Sequence, residues 1–227
     1  MSHQVKERLL LAGFTILLFI FWNTIFVYPL KLLTVFFHEA SHALMTLFTG
    51  GKVLELVVDP MAGGHVISQG GNDFLVKSAG YLGSLAFGVA IYKLAAMTRY
   101  DKAIMTFLGF FLMAISLVYF GTVFTLIFSG LTSALMILVG IKGSESVNDL
   151  VLRLIGLSSA YYVPLDILSD TIFRSHLRSD ARMLAETYGG TTILWGGAWF
   201  LISIFVVYKL IFSASMKQDK SEVLEER

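Results

Sequence analysis

The chain has 227 residues, of which 56% are hydrophobic, 14% aromatic and only 15% charged, and its mean hydropathy of +0.75 sets it among membrane proteins rather than soluble domains. Seventeen Lys and Arg against sixteen Asp and Glu leave a formal charge of +1, so no basic excess is present to neutralise a phosphate backbone and nucleic-acid binding is excluded. Cysteine is absent, which removes disulfides, thiolate metal sites and cysteine nucleophiles; a metal would have to be held by His, Asp or Glu.

Uncharged runs long enough for about 30 Å of hydrocarbon mark the membrane segments. The first covers residues 9–30. Lys6 and Arg8 precede it as they would a signal peptide, but the run is too long for an h-region and no small-x-small cleavage site follows, so it reads as a retained span. Tyr28-Pro29-Leu30-Lys31 reads as a break, because one helix over both flanking runs would be about 60 Å long. The second segment, residues 32–49, is apolar except for His38, Glu39 and His42. Gly50 and Gly51 stop it, Lys52 to Asp59 reads as a β-branched strand, Pro60 to Gly64 supplies turn chemistry and His65 to Ser68 returns as a partner strand.

Residues 75–97 form the next segment, with Ala79, Gly80, Gly83, Ser84 and Gly88 allowing close approach of another helix. The charge-free run that follows is too long for one crossing and folds back near Gly121, giving segments 103–120 and 122–141. Residues 150–165 read as a short helix interrupted by Pro164, and residues 190–211 as the final span. Asp166 to Glu186 reads as a polar stretch, and residues 213–227 as a disordered charged tail. The expectation is an all-α polytopic membrane protein with six or seven transmembrane segments and a small β-hairpin, forming one integral membrane domain over residues 1–212.

The pattern H-E-x-x-H occurs at His38-Glu39-Ala40-Ser41-His42, inside a helix-length apolar run. Residues four apart share a helix face, so both imidazoles can point at one ion, with Glu39 placed to take a proton from the attacking water. Ionisable groups at membrane depth are costly and mark functional sites. The competing bland reading is two interfacial histidines and a snorkelling glutamate. A catalytic zinc wants three protein ligands and an open position, so one ligand is still to be found. Asp166, at the end of an apolar helix, is the first candidate; Asp170, one turn on, is the second, as a ligand or as a partner to one. His65, after two glycines, is read either as a turn histidine or as a group that orients a substrate carbonyl, and the strand beside it could pair with an unwound substrate. His176 among Arg174, Arg178 and Arg182 reads as a solvated face, and His3 carries no argument.

The H-E-x-x-H helix is followed by Thr49-Gly50-Gly51-Lys52, then Gly63-Gly64-His65, then Ala79-Gly80-Tyr81-Leu82-Gly83-Ser84. This order of blocks resembles the site-2 protease superfamily, in particular its compact branch of peptidase-like membrane proteins. Leu165-Asp166 resembles that superfamily's late Leu-Asp element, and Arg178-Ser179-Asp180-Ala181 a further block of the compact branch. Two positions depart from the late motif: Ile167, not Gly, follows Asp166, and no Asn stands in the matching place before Pro164. The resemblance implies an intramembrane zinc (Zn2+) metalloendopeptidase with His38, His42 and Asp166 as ligands and Glu39 as catalytic base. Its partners would be the lipid bilayer and a membrane-spanning or membrane-adjacent polypeptide. The alternative class is a noncatalytic membrane scaffold or binding protein that keeps the protease-like fold. A small transporter is disfavoured, since no inverted repeat is visible.

Overall fold

The computed structural model describes residues 24–174 and 177–213, together with isolated positions between 13 and 22. Most of the expected first span, His3, His176 and residues 214–227 lie outside the described residues. Within them the chain forms α1 (Tyr28–Phe48), β1 (Lys52–Val58), β2 (Gly64–Gln69), α2 (Asp73–Met97), α3 (Asp101–Tyr119), α4 (Val123–Lys142), α5 (Glu145–Leu168), a π-helical turn (Ser169–Phe173), α6 (Asp180–Tyr188) and α7 (Thr192–Ser213). Five of these helical stretches are long and apolar enough to cross a membrane: α2, α3, α4, α5 with its π turn, and α7.

Helix α1 carries the H-E-x-x-H motif and packs against α2, α5 and both strands. Leu32, Leu33, Val35, Phe36, Phe37, Ala40 and Ala43 are buried, and so are Thr34, Glu39, Ser41, His42 and Thr46, so buried positions run around most of the helix rather than along one stripe, as they do in a helix enclosed by neighbours. The expected break at Tyr28 to Lys31 is corrected: Pro29 stands in the first turn of α1, where its missing N–H costs nothing and its fixed φ suits a helix start. The chain turns just before it, at residues 24–27.

The hairpin forms as expected. Antiparallel pairs run from Lys52 with Gln69 to Val58 with Gly64, with a bulge between Val53 and Glu55. The outer edge of β1 is covered by the α3–α4 turn: Gly121 N donates to Leu56 O over 3.0 Å, and Val58 N donates to Thr125 Oγ1 over 2.9 Å. Among the described residues the sheet has two strands only, so the other edge of β2 stays free.

Helices α3 and α4 form an antiparallel pair that turns at Phe120 to Thr122, where the sequence places the fold-back; Thr122 caps α4 by accepting from Thr125 N. Helix α5 differs from expectation. It starts at Glu145, passes through buried Pro164 without interruption and ends in the π turn, where Arg174 N donates to Ser169 O over 2.7 Å. Pro164 removes one donor but lies within a helix whose neighbours hold it in place. Part of the expected polar stretch also folds: Ser179 caps α6, a nine-residue helix beginning at Asp180.

Candidate metal centre

Four elements meet at the motif. His38 and His42 sit one turn apart on α1 with their rings edge to face, centroids 5.0 Å apart. Each presents Nε2 to the same oxygen, Asp180 Oδ2 at the start of α6, at 3.1 Å in both cases. The three side chains offer ligand atoms that all lie within 4.8 Å of one another. Glu39, next to the first histidine, is buried.

The donors fit a metal ion. Asp180 Oδ2 is buried and has no hydrogen-bond partner among the described residues, although two ring nitrogens stand beside it. Nitrogens and an oxygen that converge without bonding one another are arranged around a point, and three donors at about 2.0–2.1 Å from a tetrahedral ion lie about 3.4 Å apart. His42 is fixed in the tautomer a ligand needs. Its Nδ1 is 2.7 Å from Val76 O in the first turn of α2; a carbonyl only accepts, so Nδ1 carries a hydrogen and, in the neutral ring, Nε2 is the nitrogen with the lone pair. Gly80, one turn further along α2, backs the cluster. A Cβ built there would overlap Asp180 Oδ2, His38 Nε2 and His42 Nε2 together, so only glycine leaves the space between the donors open.

The expected third ligand, Asp166, is not in this group. Its Oδ2 faces the opposite nitrogen of the ring, 3.9 Å from His38 Nδ1, and its Oδ1 accepts from Tyr162 OH at 3.0 Å and lies 3.5 Å from an Arg174 nitrogen. Asp170, the second candidate, accepts from Tyr81 OH at 2.7 Å and from Arg174 at 3.0 Å. The residue that sequence reasoning passed over is Asp180. It fell in the polar stretch, and its signals were the helix-start pair Ser179-Asp180 and the block Arg178 to Ala181.

A cavity of about 790 Å3 opens over the cluster, lined by His38, Glu39, His42 and Asp180 on one side and by β2 residues Gly64 to Ser68 on the other. His65 lines it too, half exposed and 3.9 Å from Glu55 Oε1, apart from the three-donor group.

The sequence model of the Peptidase M50B-like family matches residues 11–210. The match covers almost the whole chain, including the H-E-x-x-H helix and the membrane-length helices around it. The chain belongs to the Peptidase M50B-like family, a site-2 protease family, and is a multi-pass membrane protein. No curated protein and no solved structure matches it.

Proposed function

We propose that the protein is an intramembrane zinc metalloendopeptidase that cleaves a membrane-spanning or membrane-adjacent polypeptide, with His38, His42 and Asp180 holding the ion and Glu39 acting as general base. The observation that supports it most is the convergence of two Nε2 atoms on one unpartnered buried carboxylate oxygen, with Glu39 adjacent to the first ligand. A donor set of two imidazoles and one carboxylate with an open position suits Zn2+.

The ion would supply a Lewis-acid centre that polarises the scissile carbonyl and makes water a competent nucleophile near neutral pH. The rest falls to the chain. Val76 O holds the His42 ring in its ligand tautomer, and Glu39 accepts the proton of the attacking water and delivers it to the leaving amine. Burial of Glu39 keeps bulk water from competing for that proton.

A transmembrane helix presents its carbonyls already hydrogen-bonded and is a poor substrate until it unwinds. The free edge of β2 along the cavity offers unwound chain the lost backbone partners, by strand addition beside Glu39 and the ligands. Membrane lipid and an extended peptide are thus the partners this reading requires.

The test is zinc per chain and peptide cleavage in the detergent-purified protein. Wild type should hold about one zinc; Asp180→Ala should lose it; Glu39→Gln should keep it while turnover falls by about 10²–10⁴-fold. Full cleavage by Glu39→Gln would end the proposed role of that residue. A metal-replete wild type without zinc would favour the scaffold alternative.

A further inference from the structure

The two ligand histidines are not supported alike. His42 Nδ1 is bonded to Val76 O. His38 Nδ1 is buried and has no hydrogen-bond partner among the described residues. A buried ring nitrogen without a partner is expensive, and a metal-binding imidazole needs a hydrogen on the nitrogen that faces away from the ion, donated to something. The group facing His38 Nδ1 is Asp166 Oδ2, 3.9 Å away. That gap exceeds a hydrogen bond by about 1 Å, a distance that a small rotation of either side chain closes.

The end of α5 is built to keep that carboxylate in place. Oδ1 of Asp166 accepts from Tyr162 OH one turn earlier and faces Arg174 across the π turn, which leaves Oδ2 directed at the imidazole. Asp166 is also well buried, with its side chain 11% exposed. Asp170 acts on the same ring by another route: it holds the Tyr81 hydroxyl, and the Tyr81 ring stands edge to face against His38, centroids 5.4 Å apart and 80° inclined. Tyr81 thus stands against the His38 ring, and Asp166 Oδ2 is the group that faces its Nδ1.

We infer that Asp166 is a positioning residue rather than a metal ligand: it accepts the Nδ1 hydrogen of His38 and so fixes the tautomer and aim of that ligand, while Asp180 completes the donor set. The inference rests on the metal-centre reading above. It turns the carboxylate that the sequence marks most strongly into the partner of a ligand, and it makes the two histidines an unequal pair, one held by a backbone carbonyl and one by an ionisable side chain.

The experiment compares full-length wild type, Asp166→Asn, Asp166→Ala and Asp180→Ala in detergent, with zinc affinity read by chelator competition. In the cobalt-substituted proteins, the exchangeable imidazole N–H protons are read by paramagnetically shifted NMR. Wild type should show two such protons, one per histidine. Asp166→Ala should bind zinc about 10–100-fold more weakly and lose one of the two resonances by exchange with water. Asp166→Asn keeps an acceptor oxygen but is a poor ligand, so it should retain affinity closer to wild type together with both resonances. Loss of zinc in Asp166→Asn as complete as in Asp180→Ala would make Asp166 a ligand and overturn the inference, with the metal-centre reading intact. Unchanged affinity and two protected protons in Asp166→Ala would overturn it as well. Wild type that binds neither metal would sink the reading beneath it and the inference together.

Discussion

Helices α5 and α4 are both long enough to span a membrane, yet they live in different solvents. In α5 with its π turn, 67% of the most apolar stretch is buried inside the protein; in α4 the share is 28%. The buried helix is the more polar of the two: it carries Ser158, Ser159, Tyr161, Tyr162, Asp166 and Asp170, whereas α4 turns Ile127, Leu131, Leu135 and Leu138 outward. A soluble protein would show the opposite trend. In a bilayer, the hydrocarbon takes apolar side chains at no cost and polar groups only at high cost, so polar residues retreat to the helix contacts inside the bundle. The low-hydropathy helix is therefore the one to search for chemistry, and α5 supplies the carboxylates behind His38.

The largest effect in this comparison should come from a single methyl group on the buried side. Gly80→Ala places a Cβ against all three donor atoms at once, so stoichiometric zinc binding should be lost, while helix content by circular dichroism stays near wild type because alanine is the better helix former. Gly130→Ala on α4, where a Cβ would meet nothing within 4 Å, is the control and should leave zinc unchanged. Full zinc occupancy in Gly80→Ala would show that the donors gather around a different point.

What was legible in the sequence follows the range of the interactions involved. His38, Glu39 and His42 are neighbours on one helix, so the spacing alone brings the two imidazoles together. The hairpin and the fold-back at Gly121 are also local, set by glycine and turn residues. Asp180 reaches the site through long-range contacts: Ala181 and Leu184 bury α6 against its neighbours, and its far end is tied to the start of α2, where Lys77 Nζ donates to Thr187 Oγ1 at 2.6 Å and Tyr188 OH donates to Asp73 Oδ2 at 3.1 Å. Helix α6 is short and polar, so it leaves no trace in a search for apolar runs, and Asp166, at the end of such a run, drew the assignment instead. Both proline readings erred for one reason. Proline was taken as a stop, whereas Pro29 opens a helix and Pro164 is carried through one by its neighbours.

The close crossing of α2 and α5 gives a smaller, distributed effect. A Cβ on Gly88 would come within 2.5 Å of Ala160 N, and one on Gly156 within 2.6 Å of Tyr92 N, so each glycine admits the backbone of the other helix. Gly88→Ala should push the two helices apart, lowering thermal stability by about 1–3 kcal/mol as overpacked sites do. It should also weaken zinc binding modestly, since α2 holds His42 through Val76 O. An unaltered melting temperature in detergent would mean that the crossing relaxes by sliding rather than separating.

The smallest effect separates the two solvents most directly. Leu152 on α5 is fully buried, whereas Leu138 on α4 is 55% exposed. In water, a buried Leu→Ala change costs about 2–5 kcal/mol, part of it from transferring the side chain out of an apolar interior and part from the cavity left behind. Lipid is as apolar as the interior, so the transfer part disappears and the lost packing remains. Leu152→Ala should then cost about 1–3 kcal/mol, the cavity share of the range seen in water. Leu138→Ala should cost less than about 0.5 kcal/mol, as substitutions away from packed contacts do, because lipid chains fill what the side chain vacates. Reversible unfolding in mixed micelles measures both. Equal losses at the two positions would mean that the α4 face is covered by protein, in a second copy or another chain, and that its exposure in the monomer is not exposure to lipid.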